Sequence, residues 1–179
     1  MTLKERYQKE IVPALQKEFG VKNALAVPKV TQVVVSVGLS ANQKDQKVAE
    51  TVEQTLLRIT GQKPVKTKAK KSIATFKIRE GMVVGMMVTM RGQRMWDFLT
   101  RLTQATFPRI RDFRGISPTH IDRRGNISIG FRENLAFPEI RPDEVERVHG
   151  LQITVSTTAG SHKKGEALFK ALGFPLTHA

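Results

Sequence analysis

The chain has 179 residues, 40% of them hydrophobic, and carries thirty Lys+Arg against sixteen Asp+Glu, for a formal net charge of +14. That length suits one domain over residues 1–179 with a core of its own. The lack of cysteine excludes disulfides, thiolate metal sites and cysteine nucleophiles, and it fits a reducing cytoplasm.

The opening Thr2-Leu3-Lys4-Glu5 has the form of a capping box and starts a helix over residues 1–20 that ends at Gly20. Pro13 inside it should kink or split it. The start, MTLKERYQKE, is charged throughout and does not read as a signal peptide. The valine-rich stretch from Lys29 to Leu39 reads as a strand. A helix is expected from about Gln43 to Thr60, with Val48, Val52, Leu56 and Ile59 as its apolar stripe and Gly61 as its end. A short strand near Pro64 to Thr67 leads into a basic loop region over 62–80, and Met82 to Arg91 reads as the next strand. A helix from about Gln93 to Thr106 carries Met95, Phe98, Leu99 and Leu102 on one face and should stop before Pro108. Trp96 is expected in the core. Asn126 to Phe131 and Leu151 to Thr158 alternate cleanly, and a last helix spans about Ser161 to Leu172.

The order is α-β-α-β-β-α-β-β-α. Clean alternation predicts a mostly antiparallel sheet with helices packed on one face, the other face and the loops being the natural working surface. This is an α+β fold. No run of about 18 apolar residues occurs, so no membrane partner is expected.

The chain offers little for catalysis. His120, His149, His162 and His178 show neither HExxH nor HxH spacing, so no metal site is expected. TTAGSHKKGEAL sits where a phosphate-binding loop would. It lacks the lysine and hydroxyl after the second glycine, having Glu166 and Ala167 instead. GxGxxG is absent. No enzyme and no cofactor is expected.

The charge is concentrated. From Arg58 to Arg132 there are seventeen basic and four acidic residues, a net of +13, against +1 for the rest. A concentrated field of this kind predicts an anionic partner. Within Gln62 to Arg79 lie seven basic residues and no acid. Lys66, Lys68 and Lys70 would share one side of an extended segment and could follow a phosphate backbone. With few apolar anchors this loop is expected to be mobile without RNA. Arg91 and Arg94 flank a strand-to-helix turn at Gly92, where backbone N–H groups can also hold phosphate. The stretch from Pro108 to Asn126 supplies Arg109, Arg111, Arg114, Arg123 and Arg124, whose planar forks suit phosphate and bases. Asp112 and Asp122 either orient these arginines or cap turns. At least one of Arg109, Arg111 and Arg114 is expected to be structural. Phe113 is more often pinned into a core than stacked on a base. With only Phe131 aromatic in the strands, single-strand readout is disfavoured and docking on a folded RNA is favoured. On these residues alone, a general basic nucleic-acid-binding (nucleoid-type) protein is the alternative reading.

The stretches GQKPVKTKAKKSIATFKIREGMVVGMMVTMRGQRMWDFL, PRIRDFRGI and RRGN, with FPEI shortly after, resemble the bacterial form of the universal large-subunit ribosomal protein family that binds 5S rRNA. The likeness runs from the N-terminal helix to GFP at 173–175. It implies a structural constituent of the large subunit that helps attach 5S rRNA in the central protuberance, in a cytoplasmic ribosome. Implied partners are 5S rRNA, large-subunit rRNA, peptidyl-site tRNA, a small-subunit head protein and other 5S-associated proteins. The rRNA-binding residues expected on this basis and from the basic stretches are Ser36, Gly38, Gln62, Lys63, Lys66, Lys68, Thr89, Arg91, Arg94, Arg109, Arg111, Arg114 and Arg124. The resemblance implies tRNA contact through Lys70, Lys71, Ser72, Thr75, Lys77 and Arg79. The acidic segment Phe137 to Glu146, with Glu139, Asp143 and Glu144, has the right sign to face a basic bridge protein. Ser36, Ser40, Ile121 and Arg123 depart from the usual family residues.

Overall fold

A computed structural model describes residues 2–39, 46–141 and 148–177. Among them the elements run α1 (residues 3–19), β1 (Val30–Gly38), α2 (Gln46–Thr60), β2 (Val65–Lys68), β3 (Val83–Met90), α3 (residues 92–109), β4 (Ile127–Phe131), β5 (Leu151–Thr157) and α4 (His162–Ala171). This is the expected order. The strands form one sheet in the order β2-β3-β1-β5-β4. The pairing is antiparallel: the end of β1 meets the start of β3 (Leu39 N–H to Val84 C=O), and the start of β1 meets the end of β5 (Thr158 N–H to Lys29 C=O). The fold is therefore α+β.

The capping box forms as read. Thr2 Oγ1 accepts from Glu5 N–H, and Glu5 Oε2 accepts from Thr2 N–H. α1 ends at Gly20, which takes a left-handed conformation with φ of 64° that any Cβ would disfavour.

Pro13 neither breaks nor ends α1. A π turn over Tyr7–Ile11 lies just upstream, and Val12 N–H reaches back to Tyr7 C=O. The same device recurs in α3, where the π turn Leu102–Thr106 precedes Pro108 and Phe107 N–H reaches Leu102 C=O. Proline lacks an N–H, and its ring collides with the carbonyl four residues back. A widened turn at that point removes the conflict. The expectation that this helix stops before Pro108 is thus corrected: helical backbone continues through Phe107–Arg109.

The chain forms two compact units. The first comprises Met1–Val33, Met90–Ile129 and Thr154–Ala179; the second comprises Val34–Thr89 and Gly130–Ile153. In the first, Leu15, Phe98, Leu99, Leu102, Leu168 and Phe169 are almost fully buried. Phe174 packs edge-on to both Phe107 and Phe169, at ring centroid distances of 5.6 and 5.1 Å. Trp96 is buried and meets Tyr7 at 5.3 Å. In the second, Val35, Val52, Leu56, Ile59, Met86 and Val88 are buried. Each such side chain contributes about 1.5–3 kcal/mol by leaving water.

The strand faces follow from period two. Val33, Val35 and Val37 in β1, Ile127, Ile129 and Phe131 in β4, and Leu151, Ile153 and Val155 in β5 are buried, and their neighbours are more open.

Candidate nucleic-acid interface

In the first unit, Arg91 sits at the corner between β3 and α3. Its backbone is extended (φ −138°, ψ 170°) and it caps α3. One side-chain contact fixes its guanidinium: Nη2 donates to Gln32 Oε1 of β1 at 2.6 Å. Arg94 is exposed one turn into α3. The acid on that helix, Asp97, accepts from Gln93 Nε2 at 2.9 Å. Further along the sheet, hydroxyls make local contacts. Ser128 and Thr154 are 3.2 Å apart, and Thr31 donates to Ser156 C=O.

The loop carrying Arg109, Arg111 and Arg114 is braced by apolar and backbone contacts. Phe113 stacks on Phe107 with centroids 5.5 Å apart and planes 3° from parallel. Ile116 is tied to the C-terminal segment through Pro175 C=O and Thr177 N–H. All three guanidinium groups are exposed. Asp112 holds none of them among the described residues; it sits at positive φ (52°) on the exposed side of the turn. The bracing role considered for Asp112 therefore falls to Phe113.

Asp122 does cap a turn. Its Oδ1 accepts from Arg124 N–H and Asn126 N–H, both at 2.8 Å, and its Oδ2 accepts from Asn126 Nδ2. Desolvation pushes its carboxyl up, but the hydrogen bonds from Asn126, Arg124 and Gly125 together outweigh it and hold the pKa below the usual value. The turn presents Arg123 and Arg124 to solvent. Arg123 thus occupies an exposed position with room for a long side chain.

In the second unit, β2 pairs antiparallel with β3, with Val65 opposite Met87, Lys66 opposite Met86 and Thr67 opposite Gly85. Val65 and Met87 are exposed, whereas Met86 is buried. Lys66 therefore projects toward the covered side, where Glu53 of α2 takes it at 3.4 Å and Lys63 at 3.8 Å. The register shifts between Thr67 and Lys68, and β2 ends at Lys68. The expected one-sided row of Lys66, Lys68 and Lys70 is therefore not built. A register shift and a strand end interrupt the alternation on which that row depended. Gln62 Nε2 reaches Thr89 C=O at 3.4 Å, Ser36 is half-buried, and Gly38 is exposed.

The basic loop is a small hairpin. Ile73 and Ile78 exchange two backbone hydrogen bonds at 2.9 and 3.1 Å, Lys77 takes φ of 51° at the turn, and Ser72 Oγ accepts from Glu80 N–H. Lys70, Lys71, Thr75, Lys77 and Arg79 are exposed on it, and so are Ile73 and Phe76. The loop thus has backbone hydrogen bonds of its own. Of the acidic segment, Glu139 is half-buried with its Oε2 shut off from solvent; Asp143 and Glu144 lie outside the described residues, as do Ser40 and His178.

Among the described residues no group of three or more His, Asp or Glu is placed to hold a metal, and no helix is long and apolar enough to cross a membrane. The more open strand positions are neither acidic nor aromatic at Gln32, Ser128 and Thr154 in the first unit, nor at Val34, Ser36, Met87 and Thr89 in the second.

Two family models match the chain: "Ribosomal protein L5" over residues 23–79, and the model of the C-terminus of the same ribosomal protein family over residues 83–176. The large ribosomal subunit protein uL5 of Halothermothrix orenii is 50% identical over 173 residues, covering 97% of this chain and 97% of that one. The chain belongs to the uL5 family. The uL5 proteins of Kocuria rhizophila (52% identical, covering 96% of this chain and 91% of that one) and of a Roseiflexus species (49%, covering 97% and 96%) are similar over the same span. As a member of the uL5 family, the protein is a non-enzymatic structural constituent of the large ribosomal subunit. Membership in that family implies a partnership with ribosomal RNA.

Gln32 and Glu53 are polar residues at these surfaces that sequence reasoning missed and that hold cations. Alternation in β1 places Gln32 outward, but no local pattern reveals its hold on Arg91. Glu53 lies in an ordinary amphipathic helix and gives no signal of its own.

Proposed function

We propose that this protein binds 5S rRNA and helps attach it to the large subunit in the central protuberance. The observation that carries this lies in the first unit, where Arg91 and Arg94 stand near the polar, non-acidic and non-aromatic strand positions Gln32, Ser128 and Thr154, in a chain of the uL5 family. Hydroxyls, amides and guanidinium groups without stacking rings suit the backbone and 2′-hydroxyls of folded RNA. Arg91 and Arg94 are the sheet-side contacts of the first unit, and Ser36, Gly38, Gln62 and Thr89 those of the second. Arg109, Arg111, Arg114 and Arg124 offer exposed guanidinium groups to 5S or large-subunit rRNA. Lys63 and Lys66 act from the α2 side, as a pair shared with Glu53.

The hairpin bearing Lys70, Lys71, Ser72, Thr75, Lys77 and Arg79 contacts peptidyl-site tRNA. Its support is a set of exposed cations beside the exposed ring of Phe76, a combination able to meet phosphate and base together. The acidic segment with Glu139, Asp143 and Glu144 bridges to a basic small-subunit head protein. Charge reversal at Asp143 and Glu144 tests this more cleanly than at Glu139, whose half-buried side chain also packs. Unchanged subunit association after that reversal would remove the bridge from the reading. The protein works in the cytoplasmic ribosome beside other 5S-associated proteins.

The deciding experiment is a salt titration of binding to folded 5S rRNA and to duplex DNA of equal length. With six to ten phosphates contacted, affinity falls roughly 10³–10⁵-fold between 50 and 200 mM salt. A retained preference for 5S rRNA supports the reading. Equal affinity for both ligands means a general basic nucleic-acid binder instead.

A further inference from the structure

We propose that Gln32 is a positioning residue for RNA binding: its side-chain carbonyl holds the Arg91 guanidinium in place for a phosphate without cancelling its charge. The inference rests on the reading that Arg91 binds RNA.

The two residues lie 59 positions apart in sequence and meet at 2.6 Å between Arg91 Nη2 and Gln32 Oε1. This is a short, charge-assisted hydrogen bond. Guanidinium nitrogens only donate, so the amide must present its oxygen, which points the Gln32 NH₂ elsewhere. The contact fixes the tip of a side chain whose base is already fixed: Arg91 has extended backbone at the end of β3 and caps α3. A free arginine carries several torsions whose freedom is lost on binding. Holding the tip beforehand lowers that loss. One N–H serves Gln32, and four remain for a ligand.

The chemistry of the partner matters as much as its position. A carboxylate at residue 32 would hold Arg91 more tightly, yet it would also cancel the charge that a phosphate reads. An amide positions the group and leaves the full positive charge. The neighbouring helix keeps its acid occupied in a parallel way, because Asp97 accepts from Gln93. Arg94, three residues before that acid, stays exposed. Gln32 is half-buried and Arg91 exposed, so the pair sits where solvent, or RNA, can reach it.

A purely structural cross-strand pair makes a different prediction, and a double-mutant cycle separates the two. Binding of 5S rRNA is measured across a salt series for the wild type, Gln32→Ala, Arg91→Ala, the double variant and Gln32→Glu, with melting temperatures as a check on folding. Arg91→Ala is expected to lower affinity and to flatten the salt slope by about 0.9, the signature of one lost phosphate contact. Gln32→Ala should lower affinity about 3- to 10-fold, the freedom of one rotamer-rich side chain, with the slope unchanged. The double variant should bind like Arg91→Ala alone, and Gln32→Glu should flatten the slope as Arg91→Ala does. Independent, multiplying losses from the two alanine variants would overturn the inference, since Gln32 would then touch RNA itself or act only through the fold. An unchanged affinity in Gln32→Ala would overturn it too. If Arg91→Ala keeps wild-type affinity and slope, the reading of Arg91 as an RNA contact fails first and the inference falls with it.

Discussion

Gly125 and Gly165 touch backbone to backbone: a Cβ built on Gly165 would lie 2.5 Å from Gly125 Cα and 2.7 Å from its carbonyl oxygen. This contact fastens the turn bearing Arg123 and Arg124 onto α4. Thr157 reinforces it, donating through Oγ1 to Gly125 C=O at 2.7 Å and through N–H to Asn126 Oδ1 at 2.9 Å. Within a helix, Gly→Ala ordinarily stabilises by about 0.8–1 kcal/mol. Here overpacking against backbone, which cannot rotate away, costs about 1–3 kcal/mol. Gly165→Ala is therefore expected to destabilise the protein by up to about 2 kcal/mol despite its better helix propensity, read from the urea midpoint. A higher midpoint would show that the contact is slack.

The Asp122 turn should weaken in acid. Its carboxyl is held below its ordinary value in the folded chain, so its contribution is present above the unfolded pKa near 3.8 and is lost as pH falls through the lower folded value. Asp122→Ala removes three hydrogen-bonded contacts on an exposed turn and should cost about 1–2 kcal/mol at neutral pH. The cost should shrink toward zero below the folded pKa. Urea melts of both proteins at pH 7 and at pH 2–3 measure this directly.

Tyr7 supports the start of α1 from inside its π turn. Its hydroxyl donates to Pro28 C=O at 2.8 Å while its ring packs against Trp96, and burial pushes the phenol's pKa up. Tyr7→Phe keeps the ring contact and strips the carbonyl of its donor, so a loss of about 1 kcal/mol is expected. A larger loss, with a changed tryptophan spectrum, would mean that the ring had moved as well.

Glu53→Gln tests the pairing of Lys63 and Lys66. Both lysines are well exposed, so the pair should be worth no more than about 1 kcal/mol in a thermal melt. Removing the carboxylate frees two cations, and binding to 5S rRNA should tighten at low salt. Weaker binding would instead mean that Glu53 aims these lysines at RNA.

His149 gives a second pH signature. Burial lowers its pKa, against the weaker raising effect of its contact with Gly150 C=O. Its neutral form favours folding above the ordinary value of 6.5, and that contribution is lost as pH falls through the lowered folded value. His149→Gln should flatten the stability profile over that range while leaving the alkaline side unchanged.

Among the described residues the strands and the longer helices fall where short-range sequence placed them, because alternation and helical spacing act within a few residues; β2, with no buried alternation, is the exception to that reason. Val52, Leu56 and Ile59, or Ile127, Ile129 and Phe131, can face a core in only one way. The capping box and Gly20 were legible for the same reason, since both act within one helical turn. Pro13 and Pro108 were read as breaks because local sequence shows the missing N–H but not the widened turn that absorbs it.

By itself, the sequence determined the order of elements, the concentration of charge between Arg58 and Arg132, the lack of catalytic machinery and the family. These depend on composition and short-range spacing, which need no partner from a distant part of the chain. Only the tertiary structure decided how the cations are deployed. Strand register turned Lys66 toward Glu53, a register shift cut the lysine row, Phe113 stacked on Phe107 rather than Asp112 braced the arginine loop, and Gln32 took hold of Arg91. Each of these is a contact between residues separated by anything from six to dozens of positions. Such contacts are fixed by how strands register and loops close, and no local pattern records them.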